Sequence, residues 1–169
     1  MDRQSLTSVE CTTRIRPVEA SRIADLVRIA DETNLSPWSA QNYLDELKNP
    51  DGIMLRLVAD DNSTLGFVVG RIVTGGKIET QLDAEIYNIA VTCDDQGKGH
   101  GQTLFDAFIA SCGQRNVMQI WLEVRQSNHK AIGFYERNGF KLVQTRNHFY
   151  ENPREHALLM KLDLRSDGA

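Results

Sequence analysis

Residues 96 to 103 read QGKGHGQT, with Gly97, Gly99 and Gly101 alternating with Lys98 and His100. A loop of this kind offers its own backbone. Glycine lets successive N–H groups turn toward a ligand, and a helix beginning behind the loop adds the positive end of its dipole. The chemistry implied is the binding of an anion, with phosphate the natural guest. Spacing excludes two well-known phosphate loops. A G-x-x-x-x-G-K-[ST] frame needs Ser or Thr after the lysine, where Gly99 stands, and a G-x-G-x-x-G frame needs its third glycine later than Gly101. The pattern that fits is [QR]-x-x-G-x-[GA], met from Gln96 to Gly101.

Other side chains able to do chemistry lie on both sides of this loop. Strand alternation in WLEV sets Glu123 on the face of Trp121 and Arg125, opposite Ile120, Leu122 and Val124. The same alternation in EIYNIAV sets Glu85 with Tyr87 and Ile89. Alone, either glutamate reads as a solvated face or a salt-bridge partner. Tyr135 reads as a core ring with its hydroxyl at water, and Asn128 as the cap of the helix that follows. His100, His129, His148 and His156 are scattered without a ligand pattern. Cys11, Cys93 and Cys112 are odd in number with no Cys-x-x-Cys. Free thiols and no metal are expected.

The elements that must hold these groups follow from periodicity. Thr13 to Val18 predicts a strand. Ile23, Leu26, Val27 and Ala30 predict a helix, and Ala40, Tyr43, Leu44 and Leu47 a second one, capped by Ser36 with Pro37 in its first turn. Ile53 to Ala59 and Leu65 to Val73 flank DDNST and predict an antiparallel hairpin. EIYNIAVT is a further strand ahead of the glycine loop. Leu104, Phe105, Phe108, Ile109 and Cys112 form the stripe of a third helix, QIWLEV a buried strand, and Ala131, Ile132 and Tyr135 a fourth helix stopped by Gly139. Strands near Lys141 to His148 and Glu155 to Asp163 close the chain. The order β-α-α-β-β-β-α-β-α-β-β predicts an α/β fold with a mixed sheet. Residues 13–164 make one domain, between an N-terminal extension over 1–12 and a tail over 165–169.

Composition bounds the class. The 169 residues are 41% hydrophobic with a net charge of −4, enough for one domain with a real core. No basic cluster marks a nucleic-acid or anionic-membrane partner, no apolar run approaches the ~20 residues of a membrane span, and the first residues lack a signal-peptide layout. A cytoplasmic protein is expected.

Taken together, Gln96 to Gly101 behind the strand EIYNIAV, and WLEVRQSNHKAIGFYERNGF further on, resemble the GNAT superfamily of N-acetyltransferases. LSPWS, EVRxSNxxAIxxYExxGF and YENPREHALLMKL narrow the likeness to its RimI-type ribosomal-protein-alanine N-acetyltransferases, from about Ile15 to Leu162. The resemblance implies the GNAT acyl-CoA N-acyltransferase fold and acetyl-CoA as donor. It places the pyrophosphate at Gln96, Gly97, Lys98, Gly99, His100 and Gly101 and the start of the helix at Gln102 and Thr103. The pantetheine arm would lie along Ile89, Ala90 and Val91 and near Asn128. It implies Tyr135 as the acid that protonates the departing thiolate, and Glu123 as the base. Glu85 is the rival base, since many members draw theirs from that strand. Transfer in the family is direct, so no acyl-Cys93 is expected.

An α-amine with a pKa near ~8 is already about one-fifth neutral at pH ~7.4, whereas a lysine near ~10.4 is neutral about one time in a thousand, so an N-terminal amine asks less of a base. The acceptor implied is a protein or peptide N-terminus, that of a ribosomal protein, entering between NLSPWS and the loop NHFYENPRE. Trp38 and Tyr150 are its candidate contacts, Trp38 reading equally as a cover for the core. GGKIETQLDAE is longer and more polar than the resemblance leads one to expect. Two rival functions are a sister enzyme acting on lysine or a small amine, and a non-catalytic acyl-CoA-binding regulatory module. A monomer or weak dimer is expected.

Overall fold

The structure is a computed structural model that describes residues 12–35, 37–75 and 81–164. A seven-stranded sheet runs in the order β1-β2-β3-β4-β5-β7-β6, formed by β1 (Arg14–Pro17), β2 (Gly52–Val58), β3 (Thr64–Thr74), β4 (Leu82–Val91), β5 (Val117–Arg125), β6 (Lys141–Glu151) and β7 (Arg154–Asp163). Neighbours are antiparallel except β4 and β5, which run parallel. Helices α1 (Ile23–Glu32) and α2 (Ala40–Leu47) precede β2, α3 (His100–Gln114) joins β4 to β5, and α4 (His129–Arg137) joins β5 to β7's partner β6. This is the expected mixed α/β order.

Period-two strands divide the apolar residues between two faces. On one face Ile53, Leu57, Val68, Ile72, Ala84 and Ile86 pack with Leu104, Phe105, Phe108 and Cys112 of α3 and Tyr135 of α4. On the other, Met54, Phe67, Val69 and Ala90 pack with Leu26, Ile29 and Ala30 of α1 and Tyr43 of α2. Gly139, at φ +90, stands where the sequence stops α4.

Four expectations are corrected. The cap of α2 is Ser39, whose Oγ accepts from the Asn42 N–H while Asn42 Oδ1 accepts from the Ser39 N–H, a reciprocal capping box. Pro37 therefore precedes the helix, and Ser36 lies outside the described residues. Second, Ala40 is exposed, and the buried companion of Tyr43 is Glu46, 3% exposed and paired with Arg71 of β3. Third, β6 and β7 extend to Glu151 and Arg154, so most of the stretch NHFYENPRE is strand and the connection is Asn152 and Pro153. Fourth, β4 starts at Leu82, taking LDA out of the expected polar stretch; residues 76–80 lie outside the described residues. So do residues 1–11, with Cys11, and 165–169.

Candidate active site

Two irregularities in the sheet create the site. The first is in β4: Val69 pairs with Asn88 but Gly70 with Ile86, so Tyr87 is an extra residue, a β-bulge. The bulge changes parity. Ile86 and Ile89, three apart, both pack on the α3 side, while Tyr87 packs on the α1 side. The expectation that Glu85, Tyr87 and Ile89 share a face is thereby corrected: Glu85 and Tyr87 do, and Ile89 does not. The second irregularity is a parting of strands. The β4–β5 register runs from Leu82↔Val117 to Ile86↔Leu122 and stops, although β4 continues to Val91 and β5 to Arg125. Among the described residues, the β5-facing peptide edge of Tyr87–Val91 has no strand partner. Beside this wedge, Asn88 Nδ2 is buried without a hydrogen bond.

Behind the wedge lies the glycine loop. Gly97 and Gly99 hold φ +78 and +83, and a Cβ on either would meet open space, so their bare backbones face outward by conformation rather than crowding. The α3 N-terminus has no side-chain cap and no acidic residue in its first turn. The Thr103 N–H closes the first turn onto the Gly99 carbonyl at 3.1 Å, so the N–H groups of His100, Gly101 and Gln102 precede the helical ladder. The loop is braced from outside. Gln96 Nε2 donates to the Val91 carbonyl at 3.1 Å, Lys130 Nζ donates to Gln96 Oε1 at 2.6 Å, and Lys98 pairs with Asp95 at 2.8 Å. The side chain of Gln102 is engaged with Asn138, and the Thr103 hydroxyl donates back to Gly99.

In front of the wedge, on the α1 face, opens a cavity of about 240 Å³ lined by Trp38, Glu85, Tyr87, Trp121, Glu123, Phe149 and Tyr150 together with Ile86, Leu122 and Leu159. Four residues expected at the site from sequence thus meet here: Glu85, Glu123, Trp38 and Tyr150. Trp38 packs at 5.2 and 5.4 Å against the rings of Tyr43 and Tyr87, as its reading as a cover for the core expects. Burial raises the Glu123 carboxyl above its ordinary range, Arg146 opposes that, and the charge of Glu85 adds to it. Tyr87 is pushed up to about 12 by burial and by its Glu85 neighbour. The Arg125 guanidinium lies 4.0 Å from the centroid of the Tyr150 ring.

Tyr135 comes from the opposite side. On α4, in the α3-side core, it is 7% exposed, and its ring packs on Phe134 and Phe140. Burial, and then the neighbouring Tyr150, push its phenol up, so it stays protonated across the physiological range. Among the described residues nothing hydrogen-bonds to its hydroxyl. Asn128 caps α4, its Oδ1 accepting from the Ala131 N–H at 3.2 Å, which leaves its amide donors for another partner.

Sequence reasoning did not name Trp121, Tyr87, Phe149 or Arg146 as site residues. Trp121 and Tyr87 were legible as face-mates of the two glutamates. Arg146 carried no signal, because its contact with Glu123 crosses β7. Among the described residues no cluster of His, Cys, Asp and Glu is arranged to hold a metal ion, and no helix is long and apolar enough to cross a membrane.

A parallel strand pair that parts at a bulge, with a glycine loop at the head of the next helix, is the arrangement of an acyl-transfer fold, and the chain belongs to the acetyltransferase (GNAT) family, whose model it matches over residues 23–140. Its relatives narrow the comparison. It is 34% identical over 153 residues to the [ribosomal protein bS18]-alanine N-acetyltransferase of Haemophilus influenzae, covering 86% of this chain and 95% of that one. With the Salmonella typhimurium protein of the same name the identity is 31%, covering 81% and 88%. The crystal structure of the ribosomal-protein-S18-alanine N-acetyltransferase from Escherichia coli superposes with a TM-score of 0.79 at 27% identity, covering 93% of this chain and 97% of that one.

Proposed function

We propose that this protein acetylates the N-terminal α-amine of a protein, that of a ribosomal protein, using acetyl-CoA. The observation that carries the reading is that Glu123 and Tyr135, from different elements, each lie within electrostatic reach of Tyr150. They lie on opposite faces of the sheet, and the parting of β4 from β5 beyond Ile86 and Leu122 opens the sheet between those faces. The wedge, the open N–H groups of His100, Gly101 and Gln102, and the spare Asn128 donors fit an extended donor with an anionic end. When bound, acetyl-CoA supplies the acetyl group as a thioester. Glu123, in the cavity, takes the proton from the acceptor ammonium, and its raised carboxyl suits it to a base working near neutral pH. Tyr135, protonated and hydrogen-bonded to no described residue, gives the proton that the leaving sulfur needs. Trp38, Tyr87 and Tyr150 enclose the acceptor's first residue and shield the amine from water. A cytosolic setting agrees with a ribosomal acceptor.

The test is mass spectrometry after incubation with acetyl-CoA and two peptides, one with a free N-terminal alanine and no lysine, one N-terminally blocked with an internal lysine. Acetylation of the first alone is the expected result. Acetylation of the blocked peptide would make the protein a lysine acetyltransferase. Reaction with neither, under conditions where acetyl-CoA binds, would move the reading to a small amine or a non-catalytic acyl-CoA module.

A further inference from the structure

Glu123 is already engaged. Arg146 of the edge strand β6 reaches over β7 so that its Nη1 lies 2.5 Å from Glu123 Oε1. The reach is possible because Glu123 stands opposite Leu159 and Arg146 opposite Ala157 on the strand between them. Arg146 is also the last residue of β6 in register before an irregularity. The next pair is Tyr150↔Glu155, so β6 advances four residues while β7 retreats two. That irregularity, with His148 at φ +54 and its N–H donating to His156 Nδ1 at 3.0 Å, lies between Arg146 and the cavity residues Phe149 and Tyr150. The arginine side chain is 46% exposed and the glutamate 25%, so the cation comes from the solvent side and the carboxylate from the cavity wall.

The other groups around Glu123 do not replace this cation. Strand β4 contributes Glu85, of like charge, and Tyr87. From β6, Tyr150 adds a phenol, and β7 presents Leu159. On β5 itself Arg125 is committed to Glu155 and to the Tyr150 ring. Lys161 of β7 lies over Trp121, 3.1 Å from Asp163. Trp38, from the chain ahead of α2, is uncharged.

We propose that Arg146 is a positioning residue for the transfer: it holds the Glu123 carboxylate at the mouth of the cavity and yields that place to the ammonium of the arriving acceptor. This rests on the reading of Glu123 as the base. The exchange replaces one cation with another, so the half-buried carboxylate is not left unpaired, and the released guanidinium has water to return to. Before the acceptor arrives, the same pairing keeps the carboxylate ionised despite its burial and the charge of Glu85.

The experiment compares the parent with Arg146→Gln, Arg146→Lys and Glu123→Gln, following kcat/KM on an alanine-terminated peptide from pH 6 to 9. Carbon-detected titration of the glutamate carboxyls runs alongside, with Glu123→Gln assigning the resonance. Because the peptide titrates identically with every enzyme, the variant-to-parent ratio isolates the enzyme's own group. For Arg146→Gln that ratio falls by about threefold or more at pH 6 and returns to within about twofold at pH 9, since losing the cation raises the carboxyl's protonation range. The Glu123 resonance then titrates at higher pH, and Arg146→Lys restores most of both. A ratio equal at every pH, or an unmoved resonance, overturns the proposal. If Glu123→Gln keeps the parent's pH profile, the base reading falls and the proposal with it. If Glu123→Gln alters the profile while Arg146→Gln superposes on the parent, the Arg146 proposal alone falls.

Discussion

Strand β4 with α3 and strand β5 with α4 are parallel strand–loop–helix units lying side by side, and they finish their helices in opposite ways. At the head of α4, Asn128 spends its side-chain oxygen on the Ala131 N–H, a self-contained cap. At the head of α3, the N-cap is Gly99 in a left-handed conformation, and no side chain is offered to the first-turn amides. Their glutamates differ in the same sense. Glu85 has Tyr87 for a neighbour and stands opposite Arg71, a cation paired with Glu46, whereas Glu123 is held by Arg146. The contrast separates two tasks. The β4 unit leaves its first-turn amides open for a ligand, and the β5 unit closes its helix head with the Asn128 oxygen, which fixes the start of the helix that carries Tyr135.

The contrast can be broken at four points, in falling order of effect. Tyr135→Phe keeps the ring in the core and removes only the proton, so kcat falls by about a hundredfold while acetyl-CoA affinity by calorimetry stays within about twofold. An unchanged kcat would return Tyr135 to a packing role. Glu123→Gln lowers kcat by about tenfold at pH 7, and the deficit narrows toward pH 9 because the α-amine, with a pKa near ~8, then loses its proton unaided. Glu85→Gln stays close to the parent; the reverse order of the two would move the base to β4. Gly99→Asp, set against Gly99→Asn to match the strain of a side chain at φ +83, puts a carboxylate at the α3 head and raises KM for acetyl-CoA several-fold over the Asn variant with kcat at saturation held. Asn128→Ala costs about 1 kcal/mol of stability through the lost cap, read from the urea midpoint; no change would mean that the α4 head needs no cap.

What the sequence disclosed tracks how local the cause is. The α3 stripe of Leu104, Phe105, Phe108, Ile109 and Cys112 is a period within one element, and all are buried but Ile109, which is partly so. The glycine loop sits where its spacing put it. Tyr87 is different: a bulge adds one residue and leaves no mark in composition, so alternation assigned Ile89 to the wrong face. Ser36 and Ser39 are cap residues of equal merit, and only the partner Asn42, three residues after Ser39, decides between them. The extent of β6 was hidden because NHFYE is polar and aromatic on an edge strand that is exposed for nearly its whole length. The pairing of Arg146 with Glu123, 23 positions apart and separated by another strand, is a fact of topology alone.

The parting of β4 from β5 also makes a seam. Among the described residues the sheet consists of two leaves, β1 to β4 and β5 with β7 and β6, stitched directly to each other only from Leu82 to Ile86. A donor lying in the gap would add the missing stitches along Tyr87–Val91, tying the leaves into one cooperative unit. Amide protons along that edge would then exchange with solvent on the schedule of the whole fold instead of on their own.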